Sequence, residues 1–274
     1  MTRRQKINSF IQYAVLLLIA LIFILPLLWM LISSIDTNAV QALRIPENIS
    51  FQNYMDILSE ERNRLSFGNG LLISGGQTIV VIFLCIIAAY PLSRFKLSYK
   101  KSFMMTILFM TSLPMTVVIV PVFQLFLTLR FMDSQIAVMF FMSATSLPMG
   151  IWMMKNFMDS VPIDLEESAW IDGVTLWRGI LKVVVPLMIP GIFTVAIFTF
   201  SGSWGNFFVP FMLLTSTDNL PASVTIFQFF GNFGLVNYGR LAAFSVLYTL
   251  PIVILYAISQ QFMSKGFSMG GAVK

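Results

Sequence analysis

The chain has 274 residues, of which 57% are hydrophobic and only 11% charged, with a formal net charge of +5, one cysteine and no histidine. A water-soluble domain carries roughly 45–50% apolar and about 25% charged residues. A soluble fold is therefore excluded, as are His-ligated metals, His-based catalysis, an internal disulfide and a thiolate metal cluster. Nor does the basic balance imply nucleic acid, because the cations form no exposed stripe. They gather in short segments between long uncharged runs, the pattern of a chain whose main solvent is lipid.

Stretches free of Asp, Glu, Lys and Arg predict the spans, since a charge at the bilayer centre costs roughly 2.5–3.5 kcal/mol. The first covers 7–35, behind Arg3, Arg4 and Lys6. It reads as a retained helix, not a cleaved signal. Its apolar run exceeds the ~7–15 residues of a signal, and Pro26 and Trp29 replace any small-residue cleavage site. Further spans follow at 71–93, with Cys85 as a small buried hydrophobe, and at 103–129 and 134–154. The fifth uncharged run, Val183 to Thr217, is too long for one span. Its helix is expected to end near Pro210 (183–210), the remainder forming an outer loop. The last span covers 241–264. Each run exceeds the ~20 residues needed to cross the hydrocarbon core. The expectation is an all-α membrane protein of about six transmembrane helices in a single domain, 1–274. Pro26, Pro91, Pro114, Pro121, Pro148, Pro186, Pro190 and Pro251 interrupt spans, as kinks or as moving parts. No Gly/Pro-broken pair of helices recurs in two halves to suggest a secondary transporter.

With the N-terminus cytoplasmic, the inner segments hold twelve Lys and Arg and the outer ones five. Both termini are therefore expected inside, in a multi-pass protein of the cell membrane whose boundary cations answer anionic lipid.

The inner segment 159–182 differs from the others. Five of the chain's twelve carboxylates are here: Asp159, Asp164, Glu166, Glu167 and Asp172. Ser160 and Pro162 are helix-start signals, acids fill the first turns, and Gly173 supplies a left-handed stop. Ile163, Leu165, Ala169, Trp170 and Ile171 add apolar surface. Such a short helix along the membrane face is either a docking element for a cytosolic partner or a solvated interfacial helix.

Here the sequence resembles the permease subunits of ABC importers. Their loop signature is Glu-Ala-Ala, three residues, Gly, nine residues, Ile, one residue, Leu-Pro. This chain reads Glu167-Ser168-Ala169, Gly173, Val183 and Val185-Pro186 at the same spacings. Other segments resemble the carbohydrate, maltose-permease-like subfamily: Pro26 through Ser34, Asn53-Tyr54, Ala88-Ala-Tyr90 with Arg94-Phe95, Pro162 through Gly173, and the tail Gly270-Gly-Ala-Val-Lys274. One departure stands out, since the family's Trp-Asn-Glu/Asp-Phe is Trp204-Gly205-Asn206-Phe207 here.

The resemblance implies a type I ABC importer permease fold in which 159–182 is the coupling loop. Glu166, Glu167, Ser168, Ala169, Asp172 and Gly173 would meet the ATPase, with Glu167 pairing a basic residue there. It implies a second, related permease subunit, a dimer of cytosolic ABC ATPases and an extracytoplasmic sugar-binding protein as partners, with membrane lipid around them. The chain is then a transport permease and not an enzyme. It has no Walker-type Gly-x-x-x-x-Gly-Lys-Ser/Thr and needs no cofactor or metal of its own, ATP and Mg being bound by the partner subunits. The cargo is a carbohydrate, or alternatively glycerol phosphate or another polar solute. Gln77, Gln124, Trp204, Asn206, Tyr248 and Gln260 would have no use against lipid, so they either line the substrate path or hydrogen-bond between helices. A secondary transporter would carry an ionisable residue in mid-membrane, and a membrane enzyme would need a nucleophile, paired acids or a metal site. The uncharged spans offer neither.

Overall fold

The computed structural model describes residues 3–230 and 236–270, so the Gly-Ala-Val-Lys end of the tail motif lies outside the described residues. Helices dominate: α1 (Arg3–Ser34), α2 (Gln52–Ser59), α3 (Glu61–Arg94), α4 (Lys100–Met110), α5 (Met115–Thr128), α6 (Gln135–Asp159) and α7 (Ile163–Ile171). After these come α8 (Leu176–Leu187), α9 (Ile189–Trp204), α10 (Phe208–Leu213) and α11 (Tyr238–Gly270). Four helices are long and apolar enough to span a membrane, namely Ile11–Ser34 of α1, α3, α6 and Tyr238–Phe262 of α11. Two bent pairs, α4 with α5 and α8 with α9, pass the same test together, and counting each as one span gives up to six among the described residues.

The bent pairs fall in the runs expected over 103–129 and 183–210, where prolines interrupt the spans, and the cause is local. α4 and α5 meet at 90°. Thr111 and Ser112 donate their hydroxyls to Leu108 O and Phe109 O, each at 2.7 Å, taking over carbonyls at the end of α4. Pro114, extended at ψ 127°, has no N–H with which to continue the ladder. α8 and α9 meet at 76° around Met188, where Pro190 cannot donate back to the preceding turn. α9 ends at Trp204, earlier than the expected Pro210. Pro210 instead sits in the first turn of α10, where a missing N–H is harmless.

Contacts group the chain into two compact units, 1–64 with 226–250 and 65–225 with 251–274. In the first, Asn53 is buried and donates to Ser34 O at 3.1 Å and Asp36 O at 3.0 Å. These are carbonyls that the end of α1 leaves without a helical partner. The Tyr54 hydroxyl donates to Ser34 Oγ at 2.7 Å, and Arg240 holds Asp56 at 2.5 Å. In the second unit, α6 packs on α9 and α4, and the core there holds Met154 and Met158 of α6, Val184 of α8 and Val195 of α9, all at most 1% exposed. Gly150 of α6 admits the close approach of α3, because a Cβ there would stand 2.7 Å from Cys85 Sγ. Cys85 is accordingly a buried hydrophobe, as expected. A polar knot lies beyond the far end of α5. Asp133, in the left-handed region at φ 64°, accepts from Thr215 N and Ser216 N at 2.9 Å each and from the Ser216 hydroxyl. Burial alone would raise its carboxyl, but the hydrogen bonds from Ser216 and Thr215 outweigh burial and hold it below the ordinary carboxylate value.

Candidate functional site

The 159–182 segment begins where α6 ends. Its helix α7 carries Asp164 and Glu166 in the first turn, where the dipole favours acids. It closes on Gly173 at φ 81°, with Val174 N donating to Ala169 O and Gly173 N to Trp170 O, each at 3.0 Å. Those two bonds form the Schellman stop, which requires a residue without left-handed strain. The Ser168 hydroxyl bonds back to Asp164 O at 2.7 Å, so its polarity is spent within the helix.

Glu166 and Glu167, adjacent in sequence, have opposite environments. The Glu166 side chain is 3% exposed and is gripped by Arg94, itself 6% exposed, through Nε at 2.6 Å and a second guanidinium nitrogen at 2.5 Å. The Tyr90 hydroxyl donates to the other carboxylate oxygen at 3.1 Å. Arg94 also donates to Val161 O at 3.0 Å, and Ser93 donates to Asp159 at 2.7 Å, the same carboxylate that pairs with Lys155. The last turn of α3 thus holds both the entry to α7 and α7 itself. Burial of such a pair is tolerated because each group meets its partner and further hydrogen bonds. Glu167 faces solvent, as do Asp172 and Ser168, with Ala169 half-buried. Around Glu167 an apolar surface is left uncovered by this chain: Leu165, Trp170, Trp177 and Ile171, the last 86% exposed.

Of the six loop residues expected to act together, five lie on or near this outward surface, while Glu166 points inward. Sequence reasoning missed Arg94 and Tyr90 as parts of the site. The available signal was a cation closing an otherwise uncharged span, next in space to a loop with surplus acids.

The polar residues of the spans are more scattered. Gln77 is buried on α3, its amide donating to Met142 O at 3.1 Å and Ser146 Oγ at 2.8 Å, while its Oε1 is buried without a partner among the described residues. Trp204 is 2% exposed, stacks on Phe200 at 5.8 Å between centroids, and covers Gly70, where a Cβ would stand 3.0 Å from the indole. Asn206 accepts Val209 N at 3.0 Å and so caps α10, and its carbonyl accepts the Ser223 hydroxyl at 2.9 Å. Gln124 and Gln260 are exposed. Tyr248 belongs to the other unit and is half-buried.

Residues 81–268 match the family model described as binding-protein-dependent transport system inner membrane component. The chain is 30% identical to the sulfoquinovosyl glycerol transport system permease protein of Agrobacterium fabrum, over 90% of this chain and 87% of that one. It is 25% identical to the maltodextrin transport system permease protein of Streptococcus pneumoniae, over 98% and 96% of the two chains. In fold it matches a bacterial ABC transporter involved in the import of the acidic polysaccharide alginate, with a TM-score of 0.82, 19% identity, and coverage of 96% of this chain and 98% of that one. The expected fold class is therefore the observed one.

Proposed function

The chain belongs to the family of binding-protein-dependent transport system inner membrane components, and from that premise we propose that it is the permease subunit of an ATP-driven importer of carbohydrate. The observation that carries the mechanism is the division of labour between Glu166 and Glu167. One acid is spent inside the chain, fixing α7 to the end of α3. Its neighbour stands free among exposed Leu165, Trp170 and Ile171. A rigid helix that presents a charge ringed by apolar surface suits a cleft in a cytosolic ATPase. There a charge pair sets register and the surrounding apolar groups exclude water. Motion of the ATPase cleft then reaches the spans through the Arg94 grip, since pushing α7 pushes α3. A second permease subunit completes the pathway, and an extracytoplasmic binding protein delivers the cargo. The name of the matching family and the sugar-linked names of the relatives support this reading. The charge asymmetry of the loops supports an orientation with both termini and α7 in the cytoplasm.

The test is recovery of the assembly in mild detergent. The wild-type chain should bring ATPase subunits with it, and Glu167→Lys should lose them while still inserting, because Glu167 is exposed and makes no ion pair among the described residues. The accompanying binding protein should retain labelled oligosaccharide or glycoside. Normal recovery of ATPase with Glu167→Lys would remove the docking role, and a binding protein that ignores sugars would remove the carbohydrate.

A further inference from the structure

Between α3 and α4 the chain turns over in residues 95–99 and leaves an open pocket of about 560 Å³. Ser93, Arg94, Lys96, Ser98 and Lys100 line it, with Ile163 of α7 on one side. Its charge is unbalanced. Arg94 is neutralised by Glu166 and Lys155 by Asp159, but among the described residues no carboxylate lies within ion-pair distance of Lys96, Lys100 or Lys101. Lys100 and Lys101 also occupy the first turn of α4, a helix of 11 residues with no acid in that turn and no side-chain cap. The positive end of the helix dipole opposes cations there. Three cations thus gather at this turn with no carboxylate at ion-pair distance among the described residues.

The surroundings favour one kind of anion. Phe95 and Tyr99, 51% and 59% exposed, lie on either side of Lys96 in the chain. The loop joins two span-forming elements, which places it at the membrane boundary. Exposed aromatic rings belong at the headgroup level, and basic pockets between spans take lipid headgroups. A soluble oxyanion would need the lysines alone, whereas the rings beside them need an acyl and headgroup boundary. We infer that this pocket binds the phosphodiester of an anionic membrane phospholipid, with Lys96 and Lys100 as its charged partners and Ser98 lining the seat. The site stands apart from the transport reading and requires only that α3 and α4 enter a bilayer.

The full chain, purified in mild detergent, is titrated with phosphatidylglycerol or phosphatidylcholine, and bound lipid is counted by native mass spectrometry. Phosphatidylglycerol should bind more tightly than phosphatidylcholine. Each lysine at an anionic surface is worth about a fivefold change in affinity, so Lys96→Gln with Lys100→Gln should erase the preference, a loss of about 25-fold. Arg130→Gln, an exposed cation outside the pocket, should keep it. Among the described residues the Lys96 and Lys100 ammonium groups make no ion pair, and equal unfolding midpoints in phosphatidylcholine check that the double variant is intact. Equal binding of the two lipids, or an unchanged preference in the double variant, overturns the inference. Displacement of phosphatidylglycerol by millimolar inorganic phosphate overturns the lipid as ligand and marks a soluble oxyanion site. Loss of ATPase recovery with the lipid preference intact overturns it in favour of a protein partner.

Discussion

Removing the Glu166 carboxylate is the most informative single change to this chain. Glu166→Ala leaves the Arg94 guanidinium in a setting where its side chain is 6% exposed, with two nitrogens that had met the carboxylate at 2.5 and 2.6 Å. Water reaches neither partner well, so the screening that weakens surface pairs does not apply. Breaking one side of a buried pair costs about 3–5 kcal/mol, most of it the stranded charge. Confined to the contact between α7 and α3, that cost raises the open population of α7 by roughly 10²- to 10³-fold or more. Hydrogen exchange of the α7 amides is the assay, and their protection should fall by that factor while α6 and α9 hold theirs. Uptake should fall with it, because an ATPase stroke delivered to a loose α7 is not passed to α3. Arg94→Leu combined with Glu166→Leu leaves no stranded charge in this contact and should recover much of the protection and, with it, much of the uptake, a coupling visible only in the double variant. Wild-type protection of α7 in Glu166→Ala would refute the idea that this pair fixes the helix.

Three further outcomes are expected. Gly173→Val forces a β-branched residue to φ 81°, a strain of about 1–2 kcal/mol or more, and should abolish uptake with insertion intact. Gly173→Asn, which tolerates that region, should retain much of it, and equal uptake in the two would dismiss the turn. Asn206→Ala removes the cap on Val209 N at about 1 kcal/mol, and uptake should fall. Asn206→Asp caps equally well, so if uptake falls with Asp as far as with Ala, the residue contacts cargo and does not merely shape the turn. A reporter active only outside the cytoplasm should work when fused near Glu60 or Asn219 and fail near Lys100, and activity at Lys100 would reverse the orientation.

Much of the candidate site could be read along the chain. The acids, the Gly173 stop and the spacing to Val185-Pro186 are local, and helix signals act within a few residues. The substrate path was harder to read, because Gln77, Trp204 and Asn206 answer to packing partners remote in sequence or to a backbone turn. Asn206 illustrates this. As an amide in an uncharged run it suggests cargo, but its side chain caps α10.

What the sequence determined by itself is the class of molecule. Charge exclusion from hydrocarbon is a property of each segment alone, so uncharged runs mark the spans without any knowledge of their neighbours. The acidic helix and its glycine stop were settled in the same way. The tertiary structure alone decided which acid faces which way. Glu166 and Glu167 have the same chemistry, and only the approach of Arg94 and Tyr90, 72 and 76 positions away, buries one and leaves the other exposed. It also decided where the bent pairs turn, since a proline within a run permits either a kink or a break. At Thr111 and Ser112 the hydroxyls take the carbonyls at the helix end, and the break at Pro114 follows.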